Sequence, residues 1–134
     1  MKISDQIKGF FESYEVINEL SDKKGIRVEI FESSNRDLIQ VKLIEKALTN
    51  INGVGKGSTN LFFDVKVEGS IVKMFFKFSK IADNDLKKVI KAVIKSEYSI
   101  KLIGNQLTIS AIDPRVSEVK KIFMELEPYC RRFV

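Results

Sequence analysis

Two runs, Leu61 to Val67 and Ile71 to Phe78, alternate apolar and polar side chains about Glu68-Gly69, a two-residue turn of the kind that joins antiparallel strands. A chain with this pattern is committed to a hairpin with one buried face. The turn predicts Val65 opposite Val72, Phe63 opposite Met74 and Leu61 opposite Phe76, all on the core side. The reverse side then carries Asp64 opposite Lys73, Phe62 opposite Phe75 and Asn60 opposite Lys77, with Lys66 nearby. An aromatic pair interleaved with lysines on a sheet surface either binds something or is covered.

Amphipathic helices and further strands surround this hairpin. Ile3, Ile7, Phe10, Phe11, Tyr14, Ile17 and Leu20 recur at three- and four-residue steps and mark one stripe of a helix over 1–20. Ile26, Val28 and Ile30 alternate with Arg27 and Glu29, as in a half-buried strand. Over 36–51 two periods compete. Ile39, Val41 and Leu43 alternate like a strand, yet Val41, Leu43, Ile44, Ala47, Leu48 and Ile51 fill one helical arc, Ser34 with Asp37 resembles a capping pair, and Gly53 suits a C-terminal cap. A helix is the reading adopted.

Farther along, Asp83 is expected to cap a helix whose apolar side is Leu86, Val89, Ile90 and Val93. A second hairpin turns at Gly104-Asn105, with Leu102 facing Leu107 and Ile100 facing Ile109, while Ser99, Lys101, Thr108 and Ser110 point away. Asp113 as N-cap and Pro114 at the first helical position open a last helix with Val116, Val119, Ile122, Phe123 and Leu126 on its buried stripe, and Pro128 ends or kinks it.

The expected fold is α+β, a single mostly antiparallel sheet with helices packed on one face. Residues 25–103 form a ferredoxin-like split βαβ core, preceded by the helix over 1–20 and followed by a strand and C-terminal helix over 106–134. At 134 residues this is one domain, long enough to bury roughly two thirds of its unfolded surface. With 37–43 as a strand, the order becomes helix, strands, helix, two strands, helix, which is similar in element order to the compact dimeric chaperones of secretion systems.

Charge is unevenly placed. Residues 1–50 hold 8 Lys/Arg against 9 Asp/Glu, and residues 51–134 hold 15 against 9, so the net +5 comes from the second part. An anionic partner, nucleic acid or an acidic protein surface, fits that skew. Lys87, Lys88, Lys91 and Lys95 form a ridge that reads as an ordinary solvated helix face. Apolar runs are too short to span a bilayer, no secretion signal stands at the start, and the single Cys130 fits a reducing compartment, so a cytoplasmic protein without membrane contact is expected.

The glycine-rich stretch Asn52 to Thr59 is not a Walker loop, because Gly55-Lys56 and Gly57-Ser58 do not supply Gly-Lys-Ser/Thr and the loop leads into a strand. Read from Leu48, it resembles the helix-hairpin-helix motif, in which a Gly-hydrophobic-Gly turn aims backbone N–H groups at a DNA phosphate. That motif's second helix falls on Lys56 to Val65, where hairpin alternation is strong, so a connector is the simpler reading. With no histidine, the usual near-neutral base and nitrogen metal ligand are missing, and no cofactor or metal is expected.

The expected function is therefore a non-enzymatic interaction module, binding a protein partner or a second copy of itself as a homodimer. The rival is a nucleic-acid-binding domain with Phe62 and Phe75 stacking on bases and Lys56, Lys66, Lys73 and Lys77 contacting phosphates.

Overall fold

A computed structural model describes the backbone of residues 2–21, 25–51 and 54–132, and within these all side chains except those of 15–21, 48–51 and 54–56. The chain runs α1 (Ile3–Ser21), β1 (Ile26–Ser33), β2 (Leu38–Ile51), β3 (Val54–Glu68), β4 (Ile71–Lys77), α2 (Asp83–Val93), β5 (Ser99–Ile103), β6 (Gln106–Ile112) and α3 (Val116–Leu126). Short 3-10 turns at Ser34–Arg36 and Glu127–Tyr129 complete it. All six strands pair antiparallel in the order β1-β2-β3-β4-β6-β5.

The helix expected over 36–51 is β2, and with it the ferredoxin-like order is lost: four strands precede α2 where that order needs a helix between the first two. The reason is tertiary. Ile39, Val41 and Leu43 each meet a partner on both sides, Val41 between Ile30 and Val65 and Leu43 between Val28 and Phe63. All three are buried, a gain that a helix stripe packed on one side would not match. Ser34 and Asp37 are not a capping pair; they close the β1–β2 turn, where the Asp37 N–H bonds the Ser34 carbonyl and the Asp37 carbonyl accepts from Gly69. Gly53 lies outside the described residues. The Gly-rich stretch joins two long strands, so the second helix of a helix-hairpin-helix does not form.

Two corrections concern the opening hairpin. Its loop is Gly69-Ser70, with Glu68 and Ile71 as the closing pair, so Val67 faces Val72, Val65 faces Met74 and Phe63 faces Phe76. Gly69 takes the positive φ of 59° that the first position of such a loop demands, which Glu68 would adopt only at a steric cost. A two-residue slip leaves every side chain on its expected face.

The second correction does change faces. Leu43 pairs with Phe63 but Ile44 pairs with Leu61, so β3 carries one extra residue, Phe62, at a β-bulge. Beyond it the alternation inverts: Phe62 and Phe63 are both 0% exposed, Asn60 is buried, and Leu61 turns outward. Phe62 therefore joins the core, and the residue across from Phe75 is Asp64.

The helices share one side of the sheet. From α1, Phe11 stacks on Phe63 with centroids 5.4 Å apart, and Phe123 of α3 meets Phe10, Phe11, Tyr14 and Phe63 edge-on at 4.7–5.9 Å. Asp83 is the first residue of α2 and not its cap, which is Ala82 with no side-chain bond; Asp83 and Asp85 instead place negative charge in the first turn, and Leu86 and Ile90 bury the inner face. The last helix begins at Val116 with Arg115 as its N-cap, so Asp113 and Pro114 precede it; Asp113 instead takes a positive φ of 48° and donates its N–H to the Ser70 carbonyl, and the helix ends at Leu126, with Pro128 in the following 3-10 turn.

The bulge yields a direct test. Phe62→Ala should cost about 3–5 kcal/mol in urea unfolding, as for a fully buried ring. Phe75→Ala, on a half-buried ring of the open face, should cost no more than about 1.5 kcal/mol.

Candidate functional site: the uncovered sheet face

Opposite the helices, none of the described residues covers the sheet. Its outward residues are Arg27, Glu29 and Phe31 on β1; Gln40, Lys42, Ile44 and Lys46 on β2; Thr59, Leu61, Asp64, Lys66 and Glu68 on β3; Ile71, Lys73, Phe75 and Lys77 on β4; Gln106, Thr108, Ser110 and Ile112 on β6; and Ser99, Lys101 and Ile103 on β5. None of them is buried.

Register turns these into rows across the strands. One row reads Phe31, Gln40, Lys66, Lys73, Ser110, Ser99; the next reads Glu29, Lys42, Asp64, Phe75, Thr108, Lys101. Lys66 and Lys73 are direct cross-strand partners, a like-charge pair that disfavours the sheet and that folding does not require. Phe75 lies in the adjacent row between Asp64 and Thr108, with Lys73 and Lys77 two residues away on its own strand.

Basic residues dominate this face. Arg27, Lys42, Lys46, Lys66, Lys73, Lys77 and Lys101 stand against Glu29, Asp64 and Glu68. Two of the acids are already engaged, Glu29 by Arg27 at 3.7 Å and Glu68 by Arg36 at 3.0 Å. Asp64 accepts from the Gln40 side-chain amide at 3.0 and 3.2 Å on its two oxygens. Burial pushes the Asp64 carboxyl above the usual carboxylate value, against the pull of the Gln40 bond and of Lys42 and Lys66. Among the described residues, the six lysines of the face make no ion pair.

The face also exposes apolar surface. Phe31 is 58% and Ile112 77% exposed, and Leu61, Ile71 and Ile103 are exposed with them; Ile71 and Ile112 are cross-strand neighbours.

Of the residues singled out from the sequence, Phe75, Lys66, Lys73 and Lys77 are brought together here, and Phe62 is excluded by the bulge. The Lys56 side chain lies outside the described residues. Sequence reasoning missed Lys42, Lys46 and Gln40 because it wound 36–51 into a helix; alternation with Val41 and Leu43 is the signal that finds Gln40 and Lys42, while Lys46 has no such signal because Ile44 points out and the charged Glu45 points in. Lys101 was legible as an outward residue of the second hairpin, though not as a member of Phe75's row.

A second polar cluster lies on the helix side. Glu45 is buried, accepts from the Asn60 amide at 2.8 Å and from the Arg132 N–H, and faces Arg131 Nε at 3.6 Å. Ser79 reinforces this anchorage: its hydroxyl donates to the Cys130 carbonyl, and its N–H to that of Tyr129. Cys130 is buried, its thiol donating to the Leu126 carbonyl, and burial together with Glu127 and Glu45 pushes its pKa up, so the thiolate needed for reaction is disfavoured. These contacts pin the C-terminal segment to the sheet.

Comparison with protein-family models, curated proteins and solved structures finds no match to this chain. No described helix is long and apolar enough to cross a membrane.

The Asp64 environment predicts a pH signature. A carboxyl whose folded pKa exceeds its unfolded value adds stability below the ordinary value of 3.8, and that contribution is lost as pH rises through the raised folded value. Asp64→Asn removes this loss and keeps an acceptor for Gln40. The variant should have a higher urea midpoint than the parent at pH 7, and the gap should narrow at pH 4.

Proposed function

We propose that this protein is a non-catalytic binding module that holds an acidic, partly apolar protein segment on its uncovered sheet face. The observation that carries the reading is the interleaving of six lysines that make no ion pair, in excess over the acids of the face, with exposed aliphatic and aromatic side chains on one continuous surface. Carboxylates of a partner would replace the missing counter-charges, and its apolar side chains would cover Phe31, Phe75 and the Ile71/Ile112 pair.

Stacking of this face on a second copy of itself is disfavoured, since lysine would meet lysine with few acids to intervene. The nucleic-acid reading loses its central device, because Phe62 is inside and Phe75 no longer has a neighbouring ring on which a second base could stack. The most exposed apolar groups are largely aliphatic, which suits protein side chains better than bases or phosphates. The element order, helix, strands, helix, two strands, helix, is the one shared with the compact dimeric chaperones of secretion systems, a likeness of order alone. One cysteine, buried and unpaired, fits work in the reducing cytoplasm.

Fluorescence anisotropy tests this with three labelled probes: a twelve-residue peptide alternating glutamate and leucine, its lysine-leucine counterpart, and a single-stranded oligothymidylate. The acidic peptide should bind, and more weakly as salt rises. Lys66→Glu/Lys73→Glu should weaken it at least roughly tenfold, whereas Lys88→Glu/Lys91→Glu on α2 should leave it unchanged. Failure of the acidic peptide to bind, or tighter binding of the oligonucleotide, contradicts the proposal.

A further inference from the structure

The sheet ends at β1, and β1 is built to continue it. The Lys46 N–H bonds the Gly25 carbonyl at 3.2 Å, one step beyond the Ile26–Glu45 pair, which fixes the hydrogen-bonding phase of the β1–β2 ladder. Gly25, Arg27, Glu29 and Phe31 therefore direct their backbone groups at β2, and Ile26, Val28, Ile30 and Glu32 direct theirs outward from the sheet. Among the described residues those outward groups have no backbone partner.

Edge strands are ordinarily guarded by shortness, proline, bulges or like charge. At eight residues β1 is longer than the average strand of about 5–6, and it has neither a proline nor a bulge. Its charges are not a guard either, because they are self-complementary. Laid antiparallel on a copy of itself about Val28, the strand places Arg27 against Glu29 and Glu29 against Arg27 on the open face, and Ile26 against Ile30 on the helix side. Val28 and Ile30 are only half-buried in the single chain and would gain cover. The opposite edge behaves differently: β5 has five residues, and full overlap with its own copy sets Lys101 against Lys101.

We propose that two copies of this chain pair through β1 about a two-fold axis at Val28, forming one twelve-stranded antiparallel sheet. The Val28–Val28 and Ile26–Ile30 pairs would exchange about six backbone hydrogen bonds. Because antiparallel neighbours keep paired side chains on the same face, the two open faces would merge into a single surface with all helices on the other side. This pairing does not depend on what that surface binds.

Sedimentation velocity on the full chain tests the pairing without any ligand. The expected species has twice the 15.3 kDa chain mass. Arg27→Glu alone and Glu29→Arg alone each set like charges opposite at both symmetric contacts and should weaken the dimer roughly tenfold. The double swap Arg27→Glu/Glu29→Arg restores complementarity and should restore the dimer. Val28→Pro removes only an outward N–H, so it should give a folded monomer. If that variant fails to fold, the charge series still decides. A parent that stays monomeric at several hundred micromolar, a dimer indifferent to both single reversals, or a double swap that stays as weak as the singles would overturn the proposal.

Discussion

The stack of Phe11 on Phe63, clamped edge-on by Phe123, is the contact on which the rest of the molecule depends. It joins the first helix, the middle of the sheet and the last helix at one point. Each such pair contributes about 0.5–1.5 kcal/mol beyond the burial of its area. With Phe10, Tyr14, Phe76 and Phe78 extending the cluster, the aromatic residues concentrate cover on one side of the sheet. All three described helices lie on one face, so no described helix covers the other. The uncovered face is thus a consequence of how the core is assembled, and its lysines are what keep that surface compatible with water.

The bulge at Phe62 serves the same core. By inverting the phase of β3 it sends a second phenylalanine inward beside Phe63 and turns Asn60 toward Glu45. An unpartnered buried carboxylate would be costly; here the Asn60 amide and the C-terminal segment through Arg131 and Arg132 satisfy it. One inserted residue therefore sets the aromatic core and the anchorage of the tail together. It also removes Leu61 from the interior, which adds to the apolar surface on the open face.

How much of this could be read from residues alone follows from which signals are local. The second hairpin was legible down to its register, because Gly104-Asn105 and the alternation of Leu102, Leu107, Ile100 and Ile109 agree. The apolar stripes of the helices were legible as well, in α1 from Ile3 to Tyr14, the side chains of Ile17 and Leu20 lying outside the described residues. The β2 segment was not, since 36–51 satisfies both periods and only its two neighbouring strands decide between them. Nor was the Phe62 bulge, because Leu61-Phe62-Phe63 is apolar at three successive positions and fits either phase. Lys66, Lys73, Lys77 and Phe75 kept their faces through the hairpin slip because a shift of two preserves parity. The aromatic pair did not survive, because the slip moved Asp64 opposite Phe75 and the one-residue bulge then turned Phe62 to the other face.

The division of the sheet into a packed side and a bare side, with the bulge setting where β3 crosses between them, is tested most directly by paramagnetic relaxation of phenylalanine ring protons with a soluble gadolinium chelate. Phe31 and Phe75 should relax strongly, with Phe62 and Phe63 protected alike. Strong relaxation of Phe62, or protection of Phe75 equal to that of Phe63 in the isolated chain, would contradict it.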